Sequence, residues 1–362
     1  MTETRSEPKP SPFRSDYTTS FPKLLNELGI SVLVTTYQAG QMIVLRDDGG
    51  RLNTHFVRFR KPMGMAVSPA RIAVGTAREV HDYFNMPAVT GKLEPEGKHD
   101  ACFLPRNVHV TGDIDIHEMA WDKGGELWCV NTRFSCLCNL EIVNSFVPRW
   151  RPPFVTALAA EDRCHLNGLG MVDGEPRFVT ALGESDTKQG WRENKATGGV
   201  LMDLTTNRFV CRGLSMPHSP RWYAGKLWVL ESGKGGIATV DPASGEVTTL
   251  AELPGFTRGL GFCGPLAFVG LSQVRETAMF SGIPIVDRQE ERISGVWVVH
   301  IESGNTVAFL RFKEAVQEIF AVQVLPNIRF PEILEPGHEL IASSYTVPDE
   351  ALRDVPKPMR SH

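Results

Sequence analysis

Two short segments of the chain share a pattern that could carry chemistry, HEMAW at 117–121 and HSPRW at 218–222. Each begins with histidine and ends with tryptophan, and an imidazole can bind a transition metal or move a proton near neutral pH. Each segment leads through a short polar turn into a second apolar run, which is typical of a pair of β-strands. The two histidines are therefore expected to occupy equivalent positions in a structural repeat.

Similar strand-like segments recur along the whole chain, and each is followed by a turn and a further apolar run. Their starts are 54, 50, 51, 40 and 60 residues apart. A period near 50 residues with about four short strands per unit predicts an all-β, six-bladed β-propeller. The segments are MGMAV (63–67), HEMAW, NGLGM (167–171), HSPRW, RGLGF (258–262) and EIFAV (318–322).

The two ends of the chain are expected to build one blade together. Apolar runs at 31–37, 41–47 and 54–59 lack an inner strand, and EIFAVQV at 318–324 could supply it. Sharing a blade would close the ring and leave no exposed sheet edge. The run ELIASSY (339–345) is one strand more than six blades need, so seven blades are an alternative.

We predict a single propeller domain at 21–348, preceded by a disordered polar lead-in at 1–20 and followed by a tail at 349–362. The lead-in is rich in Pro and Ser and has no apolar core. One helix is expected, at FPKLLNELG near residue 25.

In a propeller the first strand of each blade lines the central channel, so the first residues of the six segments should meet at one end of it. Most are polar, and imidazole, amide and carboxylate groups together suit a divalent transition metal such as Zn, Fe, Mn or Cu. We predict His117, His218, Asn167 and Glu318 as its ligands. Solvation of a water-filled channel is the alternative. The six residues are Met63, His117, Asn167, His218, Arg258 and Glu318.

Two further residues are candidates for catalysis at this place. His165 precedes Asn167 by two residues and lies on the same side of an extended strand, so it could be a spare ligand or a general base. Arg258 could orient an anionic group or stabilise an oxyanion.

Charged residues that follow the second strand of each blade should form a ring around the same end of the channel. Such a ring suits a polar small molecule or peptide ligand that is anionic or zwitterionic. We predict that Arg78, Arg133, Glu184, Glu231 and Arg275 bind it. The full ring is Arg78, Arg133, Glu184, Asp186, Glu231, Lys234, Arg275 and Glu276.

Two long loops, 183–199 and 273–294, mix charged with apolar residues such as Trp191, Phe280, Ile283 and Ile285. They are candidates for a lid or for the binding surface of a protein partner.

Composition limits the partners. The 362 residues carry a formal net charge of −4, so there is no overall basic field for nucleic acid or an anionic membrane. No run of 20 residues is free of charge, which argues against a transmembrane helix. Seven cysteines scattered through apolar runs favour reduced thiols in a cytoplasm.

Five motifs carry a family resemblance: VTTYQAG (34–40), HEMAW, HSPRW, WVLESGKG (228–235) and TRGLGF (257–262). With these motifs the chain resembles an uncharacterised bacterial family of conserved hypothetical proteins over nearly everything after residue 20. That resemblance implies a propeller and no established activity.

More loosely, the blade layout is similar to the gluconolactonase and senescence-marker group of six-bladed propellers. Proteins of that group bind a divalent metal in the channel through Glu, Asn and Asp, which implies such parts for Asn167 and Glu318. His117 and His218 depart from that pattern, which puts lactone hydrolysis in doubt.

Two functions follow from the sequence. One is a metal-dependent enzyme, a hydrolase or an oxidoreductase, that acts on a small polar or anionic metabolite or a peptide group. The other is a non-catalytic scaffold that holds a protein partner with its long loops.

Overall fold

Short apolar runs ended by Gly, Pro, Asn and Asp fold into strands along the whole chain. The computed structural model describes residues 11–273, 281–288 and 291–356, and within these ranges it contains 26 strands. The strands form six small sheets in a ring, which is the arrangement of a six-bladed β-propeller. The predicted fold is confirmed, with six blades rather than seven.

The elements follow the chain almost blade by blade. The first are β1 (Ser15–Tyr17), α1 (Ser20–Leu28), β2 (Ile30–Thr35), β3 (Gln41–Asp48) and β4 (Arg51–Arg58). Blade 1 contains β5 (Met65–Val67), β6 (Arg71–Gly75), β7 (Glu79–Asn85) and β8 (Ala101–Val110). Blade 2 contains β9 (Ile116–Trp121), β10 (Leu127–Asn131), β11 (Cys136–Asn139) and β12 (Val147–Trp150). Blade 3 contains β13 (Leu166–Val172), β14 (Glu175–Ala181), β15 (Gly199–Asp203) and β16 (Arg208–Leu214).

The remaining elements complete the ring. Blade 4 contains β17 (Pro217–Tyr223), β18 (Lys226–Glu231), β19 (Gly236–Val240) and β20 (Val247–Glu252). Blade 5 contains β21 (Phe256–Cys263), β22 (Leu266–Ser272), the short helix α2 (Pro284–Arg288) in a loop, β23 (Gly295–His300) and β24 (Thr306–Phe312). The chain ends with β25 (Ala321–Pro326), β26 (Pro331–Ile333) and α3 (Glu339–Ala342). Short 3-10 turns occur at Tyr37–Ala39, Pro87–Lys92, Gly190–Asn194, Ser232–Lys234 and Asp349–Leu352.

Blade 6 is built from both ends of the chain, as predicted. Its strand order is β25-β2-β3-β4, and β25 pairs antiparallel with β2 so that Val32 lies opposite Val324. Pairing the C-terminal inner strand with N-terminal strands closes the ring and covers the edge that β2 would otherwise expose. The predicted helix is α1, which buries Phe21 and Leu25 and ends at Gly29 with a left-handed φ of 66°.

Two expectations about the chain ends were wrong. The run 339–345 does not form a strand, because His338 accepts a hydrogen bond from the backbone N–H of Leu340 and starts α3 instead. β1 lies inside the predicted lead-in and pairs with β24, so ordered structure begins before residue 20. Residues 1–10 lie outside the described part. β26 adds a parallel strand to the outer edge of β8.

Three other observations bear on the sequence predictions. All seven cysteines are free thiols, and five of them are buried. Burial raises the pKa of Cys102 and of Cys164 to about 12, so neither thiol is ionised near neutral pH. In the described part of the chain, no helix has both the length and the apolar character that a bilayer crossing requires.

The inner strands β5, β9, β13, β17, β21 and β25 overlap the six predicted segments. Several of them begin with an irregularity, since the pairing register shifts between His218 and Arg221 and between Thr257 and Leu260. Residues in these bulges take left-handed conformations, with φ of 51° at Ser219 and 81° at Gly259. A bulge re-aims the side chains near it, so strict alternation along the strand does not hold there.

Candidate active site at the channel mouth

The inner strands begin at one end of the channel, which we call the upper mouth, and they end at the lower mouth. A small cavity at the upper mouth has a volume of about 10 Å³, which is about the room that one water molecule needs. Four predicted site residues line it together: His117, Asn167, His218 and Arg258. Its other lining residues are Met65, Glu118, Ser219, Gly259, Phe320 and Ala321.

His117 is 7% exposed and is held by hydrogen bonds at Nδ1. Nδ1 lies 2.9 Å from the carbonyl oxygen of Asp115 and 2.8 Å from the hydroxyl oxygen of Thr132. That hydroxyl donates its only hydrogen to the carbonyl oxygen of Leu166, 2.5 Å away. Both neighbours of Nδ1 are therefore acceptors, and Nδ1 must carry the proton.

His218 repeats this arrangement two blades away. It is 4% exposed, and its Nδ1 lies 3.0 Å from the carbonyl oxygen of Met216 and 2.9 Å from the hydroxyl oxygen of Ser232. Ser232 donates its hydrogen to the carbonyl oxygen of Thr257. Nδ1 of His218 therefore carries a proton for the same reason, and in a neutral ring Nε2 then has a free lone pair.

Both rings are neutral at neutral pH. Burial lowers the pKa of His117 and of His218 well below the ordinary value of 6.5, and the charge of Arg258 lowers both pKa values further. The hydrogen bonds to Asp115 and Met216 oppose this shift but do not reverse it. The cavity therefore receives two unprotonated Nε2 atoms.

Arg258 is the cation of the upper mouth. Its guanidinium carbon lies 3.5 Å above the ring centroid of Phe320, which is a cation–π contact. Phe320 stacks on Tyr37 with 5.6 Å between centroids, and Nζ of Lys61 lies 4.7 Å from the Tyr37 centroid. Burial lowers the pKa of Arg258, and the charge of Glu318 opposes that shift. Two aromatic rings thus lie between two cations.

His165 extends the site on the other side of His117. Its ring lies 4.8 Å from that of His117 at an angle of 85°, and 4.5 Å from the ring of Trp191. Both carboxylate oxygens of Asp162 lie 3.0 Å from Nδ1 of His165, and one of them accepts a hydrogen bond from Nε1 of Trp191, also at 3.0 Å. Asp162 therefore orients His165 beside the cavity.

Asn167 lines the cavity but joins two blades. Its Nδ2 donates to the carbonyl oxygen of Pro217 at 3.0 Å, and its Oδ1 accepts from the Thr180 hydroxyl at 2.7 Å. These two bonds account for its burial and leave only one lone pair of Oδ1 for any ligand. Glu318 is half-buried and near enough for its charge to act on Arg258, but it does not line the cavity.

Most of the predicted ring of charged residues pairs away from the cavity. Nη2 of Arg133 lies 2.6 Å from a carboxylate oxygen of Asp113, and Nε of Arg212 lies 2.9 Å from a carboxylate oxygen of Glu184. These ion pairs are between a third and nearly three-fifths exposed, so they stabilise the loops only weakly.

The remaining ring residues divide into four cases. A carboxylate oxygen of Asp186 lies 2.8 Å from Nη1 of Arg163. Glu231 is 2% exposed and binds Nζ of Lys234 at 2.8 Å together with the backbone N–H of Ser215. Arg78 is exposed to solvent. Arg275 and Glu276 lie outside the described residues.

The apolar residues of the two long loops face inward. Trp191, Ile283 and Ile285 are buried, at 2%, 0% and 0% exposure, in a cluster that also contains Met216 and Phe256. Phe256 contacts the ring of His218, with 5.7 Å between centroids, and Trp191 contacts His165. The loops therefore form a wall of the site, and Phe280 lies outside the described residues.

A largely buried ion pair, with side chains 10% and 19% exposed, lies in the channel below the cavity. Glu118 bonds Nη2 of Arg221 and accepts from the backbone N–H of Leu169 at 3.1 Å. Arg221 also donates to the carbonyl oxygens of Leu169, Pro220 and Leu260, at 3.2, 2.9 and 3.1 Å. The pair thus ties inner strands of blades 2, 3, 4 and 5 together across the channel.

The described residues contain no group of three or more His, Cys, Asp or Glu side chains arranged to hold a metal ion. The two Nε2 atoms with one Asn167 lone pair are therefore an incomplete set, and water or substrate would have to supply the other ligands.

Comparison with known proteins shows the family of the chain. Residues 19–334 match the model of a domain of unknown function, DUF4915. The chain belongs to this family. No curated protein matches the chain. Membership of the bacterial family of conserved hypothetical proteins, and the looser likeness to the gluconolactonase group, stay predictions.

Solved structures that resemble the DUF4915 chain do so at the level of the fold. A chain of the nidogen/laminin complex matches with a TM-score of 0.55 and 10% identity, over 82% of this chain and 99% of that chain. A protein of unknown function from Bacteroides caccae matches with a TM-score of 0.48 and 8% identity, over 82% of this chain and 98% of that chain.

Sequence reasoning missed several residues of the site. Thr132 and Ser232 occur 15 and 14 residues after their histidines, and that near-equal spacing was a usable signal. Phe320 lies in the predicted segment EIFAV but was given no part. Asp162 and Trp191 come from loops, whose paths the strand pattern does not fix.

Proposed function

We propose that this protein is an enzyme that binds a small anionic metabolite, or an anionic group of a peptide, at the upper mouth. His117 and His218 accept hydrogen bonds or a proton from this ligand. The observation that supports this proposal most is their matched environment, in which Nδ1 is bound to the protein and an unprotonated Nε2 remains for the ligand.

Arg258 is the reason to expect a negatively charged ligand. The guanidinium lines the same cavity as both imidazoles and packs on Phe320, which fixes its position. A positioned arginine can bind a carboxylate or phosphate through two parallel N–H bonds. Lys61 adds a second positive charge beyond Tyr37.

His165 has a supporting part in this proposal. Asp162 binds its Nδ1, so its Nε2 can exchange a proton with the ligand or with water. Its perpendicular contact with His117 places it at the edge of the site. The buried loop residues Trp191 and Ile285 shield this region from solvent. Because the cavity has room for about one water molecule, this wall has to move for the proposed ligand to enter.

The test of ligand binding uses small anions of known chemistry. Titration calorimetry with phosphate and with malonate should detect binding to the wild-type protein, and Arg258→Met should weaken it roughly 10- to 100-fold, as expected for loss of charge-assisted hydrogen bonds. Arg208→Met is the matched control, because Arg208 is exposed on the outer strand of blade 3. Equal affinities for wild type and Arg258→Met would contradict the proposal.

A divalent transition metal (Zn, Fe, Mn or Cu) is a second candidate ligand of the two imidazoles. Metal-binding histidines usually donate the other ring N–H to a carbonyl or carboxylate, as both of these do. Asn167 and Glu318 were predicted to complete the set. The bonds of Asn167 and the nearby charge of Arg258 weigh against a full site of protein ligands.

Elemental analysis of the purified protein separates the two candidates. A metal content near one per chain that falls in both His117→Gln and His218→Gln, but not in the control His300→Gln, would favour the metal. Anion binding without bound metal would favour direct action of the imidazoles.

A non-catalytic scaffold is the third reading. Its predicted contacts were the apolar residues of the long loops, and Trp191, Ile283 and Ile285 are buried instead of exposed. A partner would therefore have to meet the polar surface of these loops. A protein that binds neither small anions nor metal would support this reading.

A further inference from the structure

The lower mouth of the channel is a compartment of its own. The Glu118–Arg221 pair and its bonds to the carbonyls of Leu169, Pro220 and Leu260 lie between it and the upper cavity. A ligand at one end therefore has no direct path to the other. The two ends also differ in chemistry, since His117 and His218 line the upper cavity and Trp121 and Trp222 line the lower one.

A cavity of about 330 Å³ opens at the lower mouth. Volumes of this size begin the range of small-molecule sites in proteins. Its wall includes two tryptophans and a partly exposed methionine: Trp121, Trp222 and Met171. Such side chains pack well against flat aromatic rings, and thioethers adapt their shape to them.

The two tryptophans that end HEMAW and HSPRW are thus wall residues of this cavity. Trp222 stacks on Phe178, with 6.4 Å between centroids, and is still 38% exposed. The guanidinium of Arg71 packs over the Trp121 ring, with its carbon 3.9 Å from the ring centroid. Trp121 is half-buried, so both rings keep part of their surface outside the packing of the blades.

One polar group at the cavity lacks part of its hydrogen bonding. Arg221 uses four of its five N–H groups on Glu118 and on carbonyls. Nε1 of Trp121 also has no hydrogen-bond partner among the described residues, but it is buried, so a ligand in the cavity does not reach it. The fifth N–H of Arg221 is a donor, so a ligand that satisfies it must carry an acceptor.

The charge of the ligand follows from the same residues. Arg221 is the one ionised side chain among those that line the cavity, and Glu118 neutralises it. A free anion or cation would gain no net opposite charge there. An uncharged ligand fits better.

We propose that the lower mouth is a second binding site, separate from the upper one, for a small uncharged planar aromatic molecule that carries a hydrogen-bond acceptor. The ring lies against Trp222 and Met171. The acceptor faces the remaining N–H of Arg221. This site goes beyond the function proposed for the upper mouth and does not depend on it.

Quinoline is a suitable probe, because it is planar, uncharged at neutral pH and has one ring nitrogen that accepts. Saturation-transfer NMR and tryptophan fluorescence would measure its binding to the full chain. Indole, which has a donor and no comparable acceptor, should bind roughly fivefold more weakly, since one hydrogen bond is lost.

Trp222→Ala should weaken quinoline binding roughly three- to tenfold through the lost ring contact. Tyr345→Ala is the control, since Tyr345 is an 80% exposed aromatic residue that does not line the cavity. Arg258→Met should leave quinoline affinity unchanged, because that residue lines only the upper cavity. Circular dichroism confirms that each variant is folded, and Met171→Glu, which places a carboxylate in the cavity wall, is a second test if Trp222→Ala is not.

Three results would overturn this site. They are no detectable transfer of saturation to quinoline, wild-type affinity in the folded cavity variant, and loss of quinoline binding in Arg258→Met. The last would place the probe at the upper mouth. None of them bears on anion binding, so failure here is distinguishable from failure of the proposed function.

Discussion

At the scale of single residues, the chemistry of His117 and His218 depends on which groups accept the hydrogen bond from Nδ1. In each case a carbonyl two residues earlier and a hydroxyl from the neighbouring strand end do so. Because the hydroxyl has already donated its hydrogen to the next blade, it cannot reverse its role. The packing of blades thus fixes the tautomer of both rings.

Thr132→Val removes a hydroxyl that both accepts from His117 and donates to the next blade. The variant keeps the shape of the side chain but removes a hydrogen bond, so the free energy of unfolding should fall by about 1–3 kcal/mol. The His117 ring also loses an acceptor, and ligand binding at the upper mouth should weaken by roughly 10- to 100-fold, as for other residues that orient a functional histidine.

Thr76→Val is the matched control for that variant. The buried Thr76 hydroxyl donates to the carbonyl oxygen of Glu79 at 3.0 Å, and Thr76 does not line the upper cavity. It should therefore lower stability in urea unfolding without lowering affinity. Equal affinity losses in both variants would show that Thr132 acts on stability alone.

Stability should depend on pH through the buried imidazoles. The folded-state pKa values of His117 and His218 lie below 6.5, so the unfolded chain binds more protons as pH falls below about 6.5. The free energy of unfolding is then highest above that pH and decreases steadily toward the folded-state values. His55 and His99, whose pKa values burial also lowers, act in the same direction.

The double variant His117→Gln/His218→Gln should flatten this decrease. Urea unfolding at a series of pH values from neutral to acidic measures the slope. A slope equal to that of the wild type would mean that the two rings are not neutral in the folded protein.

At the scale of elements, the register of the inner strands was predictable from the sequence and the direction of their side chains was not. The period correctly gave β9, β13, β17 and β21 and brought His117, Asn167, His218 and Arg258 to one cavity. If side chains simply alternated along a strand, Glu118 would point away from the channel that His117 faces. Bulges at the strand starts place both residues in the channel, and the positions of the bulges depend on contacts between blades.

Two glycines at contacts between blades show why the positions of the bulges could not be predicted from the sequence. A Cβ at Gly75 would lie 2.6 Å from Cγ2 of Ile116 on the next blade. A Cβ at Gly259 would lie 2.5 Å from the backbone nitrogen of Val322, at a residue whose φ is 81°. Such contacts join residues far apart in sequence, so a strand pattern contains no sign of them.

Breaking the Glu118–Arg221 pair should be costly. Glu118→Gln leaves Arg221 as a buried charge without its counter-ion, and the free energy of unfolding should fall by about 3–5 kcal/mol. The double variant Glu118→Met/Arg221→Met removes both charges and should lose less than the single variant. A larger loss in the double variant would mean that the backbone bonds of Arg221, and not its charge balance, hold the inner strands together.

At the scale of the whole molecule, ring closure depends on one pairing between distant parts of the chain. The sequence predicted it because three N-terminal strands lacked an inner partner and the C-terminal segment supplied one. It could not predict β1 and β26, which are three residues each and have no repeat pattern. Nor did it distinguish α3 from a strand, because an apolar run of that length fits both.

Removing β25 should open the ring. A chain that stops after residue 316 leaves β2 without its partner, and residues such as Val32 and Val34, now 0% exposed, lose their cover. We expect aggregation or loss of the cooperative unfolding transition, measured by light scattering and circular dichroism. A chain that stops after residue 356 retains every strand and should unfold like the full-length protein.

¹⁵N NMR of the histidine side chains as a function of pH decides whether Nε2 of His117 and of His218 is free for a ligand. We expect both rings to be neutral at pH 6.5, with the proton on Nδ1 and none on Nε2. We further expect the Nε2 signal to change when an anion or a metal ion binds at the upper mouth. A proton on Nε2, or a doubly protonated ring at that pH, would contradict the proposed role of the two histidines.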